Sequence, residues 1–168
     1  LQDLNLSLNS ITTFNGVGLD SLLDLRLGNN TLSSFSSIGL TSLTTLNISE
    51  NQLTTFDSTD LNSIDDLQLN NNLFTSFDTT NITTITRLNV GNNPLMTTFN
   101  PIGLNNIRSM TLENNALNVV SINAILAKVV SNAPLTGTRS ISLTGGTNAA
   151  PTGQGLIDKA TLQGNGWI

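Results

Sequence analysis

The sequence predicts an α/β solenoid: short parallel strands stacked on one side, irregular turns on the other, and a helical cap at the C-terminal end. Three observations lead there. Asparagine recurs at Asn9, Asn30, Asn51, Asn72 and Asn93, 21 residues apart each time, and Asn115 follows after 22. Apolar residues alternate just ahead of these asparagines with the period of two that a strand requires. Phenylalanine keeps a register of its own, at Phe14, Phe35, Phe56, Phe77 and Phe99.

Around each asparagine the same frame returns. "LQDLNLSLNSITTF" begins at Leu1, "LLDLRLGNNTLSSF" at Leu22 and "LTTLNISENQLTTF" at Leu43. "IDDLQLNNNLFTSF" follows at Ile64, "ITRLNVGNNPLMTTF" at Ile85 and "IRSMTLENNALNVV" at Ile107. The pattern resembles that of the leucine-rich repeat family, L-x-x-L-x-L-x-x-N-x-L, position by position over residues 1 to 120. The resemblance implies a horseshoe with its strands on the concave side and its binding function, where there is one, on that sheet.

Each coil has a physical reading of its own. Leu25 and Leu27 point inward from a strand, Leu32 and Phe35 pack on the far side, and Ile38 and Leu40 return the chain to the next strand. One coil cannot bury its apolar face alone, so coils stack and share a core. Where the chain leaves the strand, backbone groups turn inward without strand partners, at a cost of about 1–3 kcal/mol each. A carboxamide both donates and accepts, so Asn9, Asn30, Asn51, Asn72, Asn93 and Asn115 are expected to form a buried ladder. Asn29, beside Asn30, is expected to face solvent. The five phenylalanines are expected to stack into a convex spine, with Phe74 taking the place of Leu32.

After Asn115 the period breaks. In "VVSINAILAKVVSN", Val119, Ile122, Ile125, Leu126, Val129 and Val130 fall at helical intervals, with Ser121 as the expected N-cap. "RSISLTGG" reads as a seventh strand, Ile141 and Leu143 standing where Met110 and Leu112 do. A Gly- and Pro-containing turn then leads to "LIDKATLQGNGWI", read as a short helix and the start of a strand. This segment resembles the closing segment of leucine-rich repeat surface proteins of bacteria and phages, which would cover the end of the core. The organisation expected is one structural domain, with repeats over residues 1–118 and an atypical last repeat and cap over 119–168. Leu1 already holds a core position with no polar cap before it. The expectation is a chain cut from a longer protein, or one that sits against a neighbour, including a copy of itself, at that end.

Composition narrows function. Only 10% of residues are charged, the net charge is −5, and the six cations are scattered at Arg26, Arg87, Arg108, Lys128, Arg139 and Lys159. No basic patch follows, so nucleic acid is not an expected partner. No apolar run nears the roughly 18 residues of a membrane helix, so membrane insertion is not expected either. With no cysteine and no histidine, neither thiol chemistry nor the usual zinc sites are expected, and no metal or other cofactor is predicted. Asp24 and Asp66 should lie about 10 Å apart across Thr45, wide for paired carboxylates, and Asp65 and Asp66 should point in opposite senses, so no enzyme is predicted.

The outward positions of the frame form three columns. The third position carries Asp3, Asp24, Thr45, Asp66, Arg87, Ser109 and Ser140, and the fifth Asn5, Arg26, Asn47, Gln68, Asn89, Thr111 and Ser142. The seventh carries Ser7, Gly28, Ser49, Asn70, Gly91, Glu113 and Thr144. Such a face is polar, flat and roughly 30 Å long. Asp24, Arg26, Asn47, Asp66, Gln68, Arg87 and Asn89 are the candidate contact residues, for a protein or a glycan. The function expected is recognition or adhesion, non-enzymatic, at an extracellular or otherwise exposed bacterial or phage surface. The alternative is a passive structural subunit of an extracellular filament or virion, with the sheet face unused.

Overall fold

The computed structural model describes residues 1–132 and 139–167. The chain runs β1 (Asp3–Asn5), β2 (Asp24–Arg26), β3 (Thr45–Asn47), β4 (Asp66–Gln68), β5 (Ser76–Asp78), β6 (Arg87–Asn89), β7 (Thr98–Asn100), β8 (Ser109–Thr111), α1 (Val119–Ser131), β9 (Ser140–Ser142) and α2 (Gln154–Gly164). Seven of the strands form one sheet in the order β1-β2-β3-β4-β6-β8-β9, every pair parallel. The register equals the repeat: Leu4 pairs Leu25, Leu25 pairs Leu46, Leu46 pairs Leu67, and so on through Met110 and Ile141. The chain is therefore a parallel-strand solenoid whose turns follow the 21-residue period.

Each strand is only three residues long, and from β2 to β8 its central residue is buried in one continuous core. That core runs through Leu25, Leu46, Leu67, Leu88 and Met110 on the sheet side. Its far side is the predicted spine. Neighbouring rings from Phe14 to Phe99 lie 5.7–6.2 Å apart and stack, while Phe74 meets Phe77 edge-on at 6.4 Å. The spine side is not wholly irregular, because β5 and β7 pair there as a second, two-stranded sheet. Ile38 departs from its expected place: it is 55% exposed, while Ser37 and Leu40 are buried.

The ladder explains how the bends hold. Asn72 is 2% exposed and donates to Leu69 O of its own coil and Ile48 O of the preceding one, both at 3.1 Å. Its Oδ1 accepts from Leu53 N at 3.0 Å. Asn30, Asn51 and Asn93 repeat the pattern. Asn115 also bridges two coils, but its Oδ1 accepts from Asn93 N, while Met96 N, in the place of Leu32 and Leu53 N, donates to Asn93 O at 2.9 Å. Asn9 corrects the expectation of six buried rungs: it is exposed and bonds only within its own coil. A sixth rung, Asn148, closes the series, donating to Leu112 O and Leu143 O and accepting from Leu117 N.

The asparagine before the rung has a separate purpose. Asn29, Asn71, Asn92 and Asn114 have φ of 55–58°, and Glu50 and Leu8 hold the same place at 54° and 59°. This left-handed corner directs the chain off the strand, and asparagine tolerates it better than most residues. Leu8 tolerates it poorly and is 78% exposed, so it gains little packing in return. Leu8→Asn should therefore stabilise the fold by about 1 kcal/mol in urea unfolding; an unchanged or lowered midpoint would contradict the corner as the source of strain.

At the C-terminal end the N-cap of α1 is Asn118, whose side chain accepts from Ser121 N at 2.9 Å. Ser121, the expected cap, is buried instead, its Oγ accepting from Phe99 N and tying α1 to β7. α2 packs on α1. The expected strand after α2 is not found: Asn165 to Trp167 form a turn, Trp167 N donating to Leu162 O, and Ile168 lies outside the described residues.

Candidate functional site

The seven candidate residues do share one surface. Asp24, Thr45, Asp66 and Arg87 are successive partners in one column, and Arg26, Asn47, Gln68 and Asn89 in the next. Their backbones alternate inward leucines with these outward side chains, which is why a three-residue strand suffices to display two of them.

The side chains are not independent groups. Arg26 grips Asp24 of its own strand with Nε at 3.1 Å and Nη2 at 2.7 Å. Arg87 reaches across to β4, holding Asp66 with Nε and Asp65 with Nη2, each at 2.8 Å. The expectation that Asp65 and Asp66 diverge is overturned. Asp65 precedes β4 and escapes its pleat, and it also accepts from the Thr86 hydroxyl at 2.6 Å. Both guanidinium pKa values are raised, Arg26 first by its hydrogen bond with Asp24 and Arg87 first by that with Asp66. These exposed pairs fix orientation more than stability, since water and salt screen ion pairs at the surface.

The amides are oriented too. Asn47 Oδ1 accepts from Ser49 N and Oγ at 3.0 and 2.7 Å, and Asn89 Oδ1 accepts from Gly91 N at 3.1 Å. Asn5 does the same with Ser7 N. With their oxygens engaged, these amides keep their N–H donors for the face, at every second coil and so about 10 Å apart. Gln68 is the reverse case, its Nε2 donating to Asp66 at 2.7 Å and its oxygen left over.

The seventh column is closed at three of its seven positions. Gly28, Ser49 and Gly91 are buried beneath the folded-over asparagines, and a Cβ on Gly28 would lie 3.0 Å from Asn47 Oδ1. At those three coils the open surface is two columns wide, while Ser7, Asn70 and Glu113 keep the third half-open and Thr144 is exposed.

On the opposite side, Asn15, Ser36, Asp57, Asp78 and Asn100 follow the spine phenylalanines, each accepting the backbone N–H two residues on. The Thr80 hydroxyl and amide hold the Asp78 carboxyl below its usual range. Sequence reasoning passed over this column, although a small polar residue after every spine phenylalanine was its signal. Its oxygens serve the turns. Among the described residues no cluster of three acidic ligands could hold a metal ion.

No family model and no curated sequence matches the chain. Among solved structures it is similar to the functional domain of InlJ from Listeria monocytogenes, described as including a cysteine ladder. That likeness has 21% identity and a TM-score of 0.72, over 89% of this chain and 36% of that one. It is similar also to a leucine-rich repeat protein of Leptospira interrogans, with 22% identity and a TM-score of 0.74, over 98% of this chain and 42% of that one. The chain thus spans less than half the length of either, and the likeness is one of fold. Where the first carries a cysteine ladder, this chain has no cysteine and a ladder of asparagine.

Proposed function

The chain has the leucine-rich repeat fold, and on that premise we propose that it is a non-enzymatic interaction module, binding a protein partner across the face of its seven-stranded sheet. One observation supports this most. The two outward columns hold pre-oriented groups, with ion pairs at Arg26–Asp24 and Arg87–Asp65/Asp66 flanking the amides of Asn47 and Gln68. Side chains already fixed lose little entropy on binding. Exposed donors and acceptors at coil spacing suit the backbone and polar side chains of a partner protein.

A glycan is the weaker partner. Sugar faces commonly stack on exposed aromatics, yet Trp167 is 3% exposed and the phenylalanines belong to the core or the spine. Catalysis has little to work with, because Asp24, Asp65 and Asp66 are engaged by arginines and the sequence has no histidine or cysteine. A polar surface of amides and hydroxyls with few charges suits exposure outside a bacterium or on a phage, and both solved neighbours are bacterial.

The test places a photo-crosslinking residue at Asn47 or, as control, at Thr80 on the opposite side. Cross-links in extracts of the native source should form from Asn47 alone. Arg26→Trp with Gln68→Trp should weaken capture at least tenfold while shifting Tm by less than about 2 °C. Equal capture by the double variant would remove the sheet face from consideration.

A further inference from the structure

Along the fifth column the residues alternate: Asn5, Asn47 and Asn89 on every second coil, with Arg26 and Gln68 on the coils between. The three asparagines make the same local bond. Each Oδ1 accepts from the backbone N–H two residues on, Ser7 and Ser49 at 3.0 Å and Gly91 at 3.1 Å. Among the described residues nothing engages their Nδ2 groups, so three like donors stand in line across the sheet. Asn5 is exposed and Asn47 and Asn89 are half-buried, which leaves the line open to a partner. Arg26 and Gln68 bond sideways to Asp24 and Asp66 of the third column.

Neighbouring strands lie about 4.8 Å apart, which sets these donors about 9.6 Å apart. A backbone held by them needs unbonded carbonyl oxygens repeating at that distance. An α-helix fails, because its carbonyls are taken by its own N–H groups. Along an extended β-strand, carbonyls on one side recur after about 6.6 Å and fall out of step at the second donor. A polyproline II segment has three residues per turn and rises about 3.1 Å per residue, so one side presents a carbonyl about every 9.3 Å, with none bonded internally. Over the two intervals from Asn5 to Asn89 the mismatch is about 0.6 Å, close to the spread of ordinary hydrogen-bond lengths.

Charge agrees with this. Arg26 and Arg87 are already held by Asp24, Asp65 and Asp66, so what the line offers is neutral donors, suited to a neutral segment rich in carbonyls. The columns carry no aromatic ring, and the grip falls on the partner's backbone. We propose that the partner of the sheet face presents a proline-rich segment in the polyproline II conformation, laid across the strands with every third carbonyl accepting from Asn5, Asn47 and Asn89. The proposal rests on the sheet face being the binding surface.

Blocked decaproline is the probe. Its titration into isotope-labelled protein should shift the side-chain amide resonances of Asn5, Asn47 and Asn89 saturably. A flexible, uncharged Gly-Ser peptide of the same length should bind about tenfold more weakly. Asn47→Asp keeps an oxygen for Ser49 and turns the donor into an acceptor, and should weaken decaproline binding about fivefold or more. If Asn47→Asp does not fold, Asn89→Asp makes the same change at the next donor. Asn15→Asp, the same change of charge on the opposite side, should leave binding unchanged. No saturable shift, equal binding of the flexible peptide, or undiminished binding in the folded variant would overturn the proposal. Decaproline should also displace the native partner from cross-links at Asn47. Cross-links that persist with decaproline inert would overturn the polyproline II segment alone. Neither cross-links nor decaproline binding would overturn the sheet-face reading with it.

Discussion

Asn72→Ala should cost about 4 kcal/mol, among the largest losses that a single uncharged substitution can produce. The alanine leaves Leu53 N without a partner and takes one of two donors from Ile48 O and Leu69 O, which keep Asn51 and Asn93, in a site where Asn72 is 2% exposed. One orphaned buried amide at about 1–3 kcal/mol and two lost hydrogen bonds at about 0.5–1.5 kcal/mol each set that scale. The effect has a built-in control. Asn9→Ala removes the same side chain at an exposed corner where it bonds only to Leu6 O and Ser7 O, and should cost less than about 1 kcal/mol. Urea unfolding of the two variants compares them directly, and equal losses would mean that burial between coils is not what makes the rung valuable.

Phe77→Ala is expected to follow closely, at about 3–5 kcal/mol. Phe77 is 4% exposed and touches three rings, Phe56 at 5.8 Å, Phe99 at 5.7 Å and Phe74 at 6.4 Å. It also lies at the centre of β5, paired with Phe99 in β7, so its loss opens a cavity beneath the one ordered piece of sheet on that side. Phe14→Ala, at the end of the spine with Phe35 as its ring partner, should cost less than half as much. A flat profile along the spine would mean that these rings contribute as separate surface groups rather than as a stack.

Much of this was legible because a solenoid repeats its solutions. The strand centres, the register and the internal rungs follow from a period that the sequence displays six times, and each error would have had to recur in every coil. What escaped notice was whatever the period hides or breaks. The left-handed corner is masked because Leu8 and Glu50 occupy it as well as asparagine, so no single residue type marks it. Asn148 lies five residues after Leu143 instead of three after the strand leucine, since Gly145 and Gly146, both with positive φ, extend the turn ahead of it. The pairing of β5 with β7 has no sequence mark, because nearly the same S/T-F pattern precedes every spine residue. The helix is capped by Asn118, three residues before the expected Ser121, because local sequence does not say which side chain a neighbouring coil will claim.

For the sheet face, the columns were readable and their chemistry was not. Arg26 and Asp24, two apart on one strand, must share a side. Arg87 holding Asp65 depends on that residue escaping the pleat, which only the strand's start at Asp66 reveals.

Amide hydrogen exchange at Leu32, Leu53 and Phe74 tests the shared interior most directly, because their N–H groups donate to Asn51, Asn72 and Asn93 of the following coil. A common core predicts that all three exchange only through global unfolding, with protection equal to the full stability of the chain. Exchange near the rate of a free amide at these positions, while the strand centres stay protected, would show the rungs open to water and would contradict the architecture on which the sheet-face reading rests.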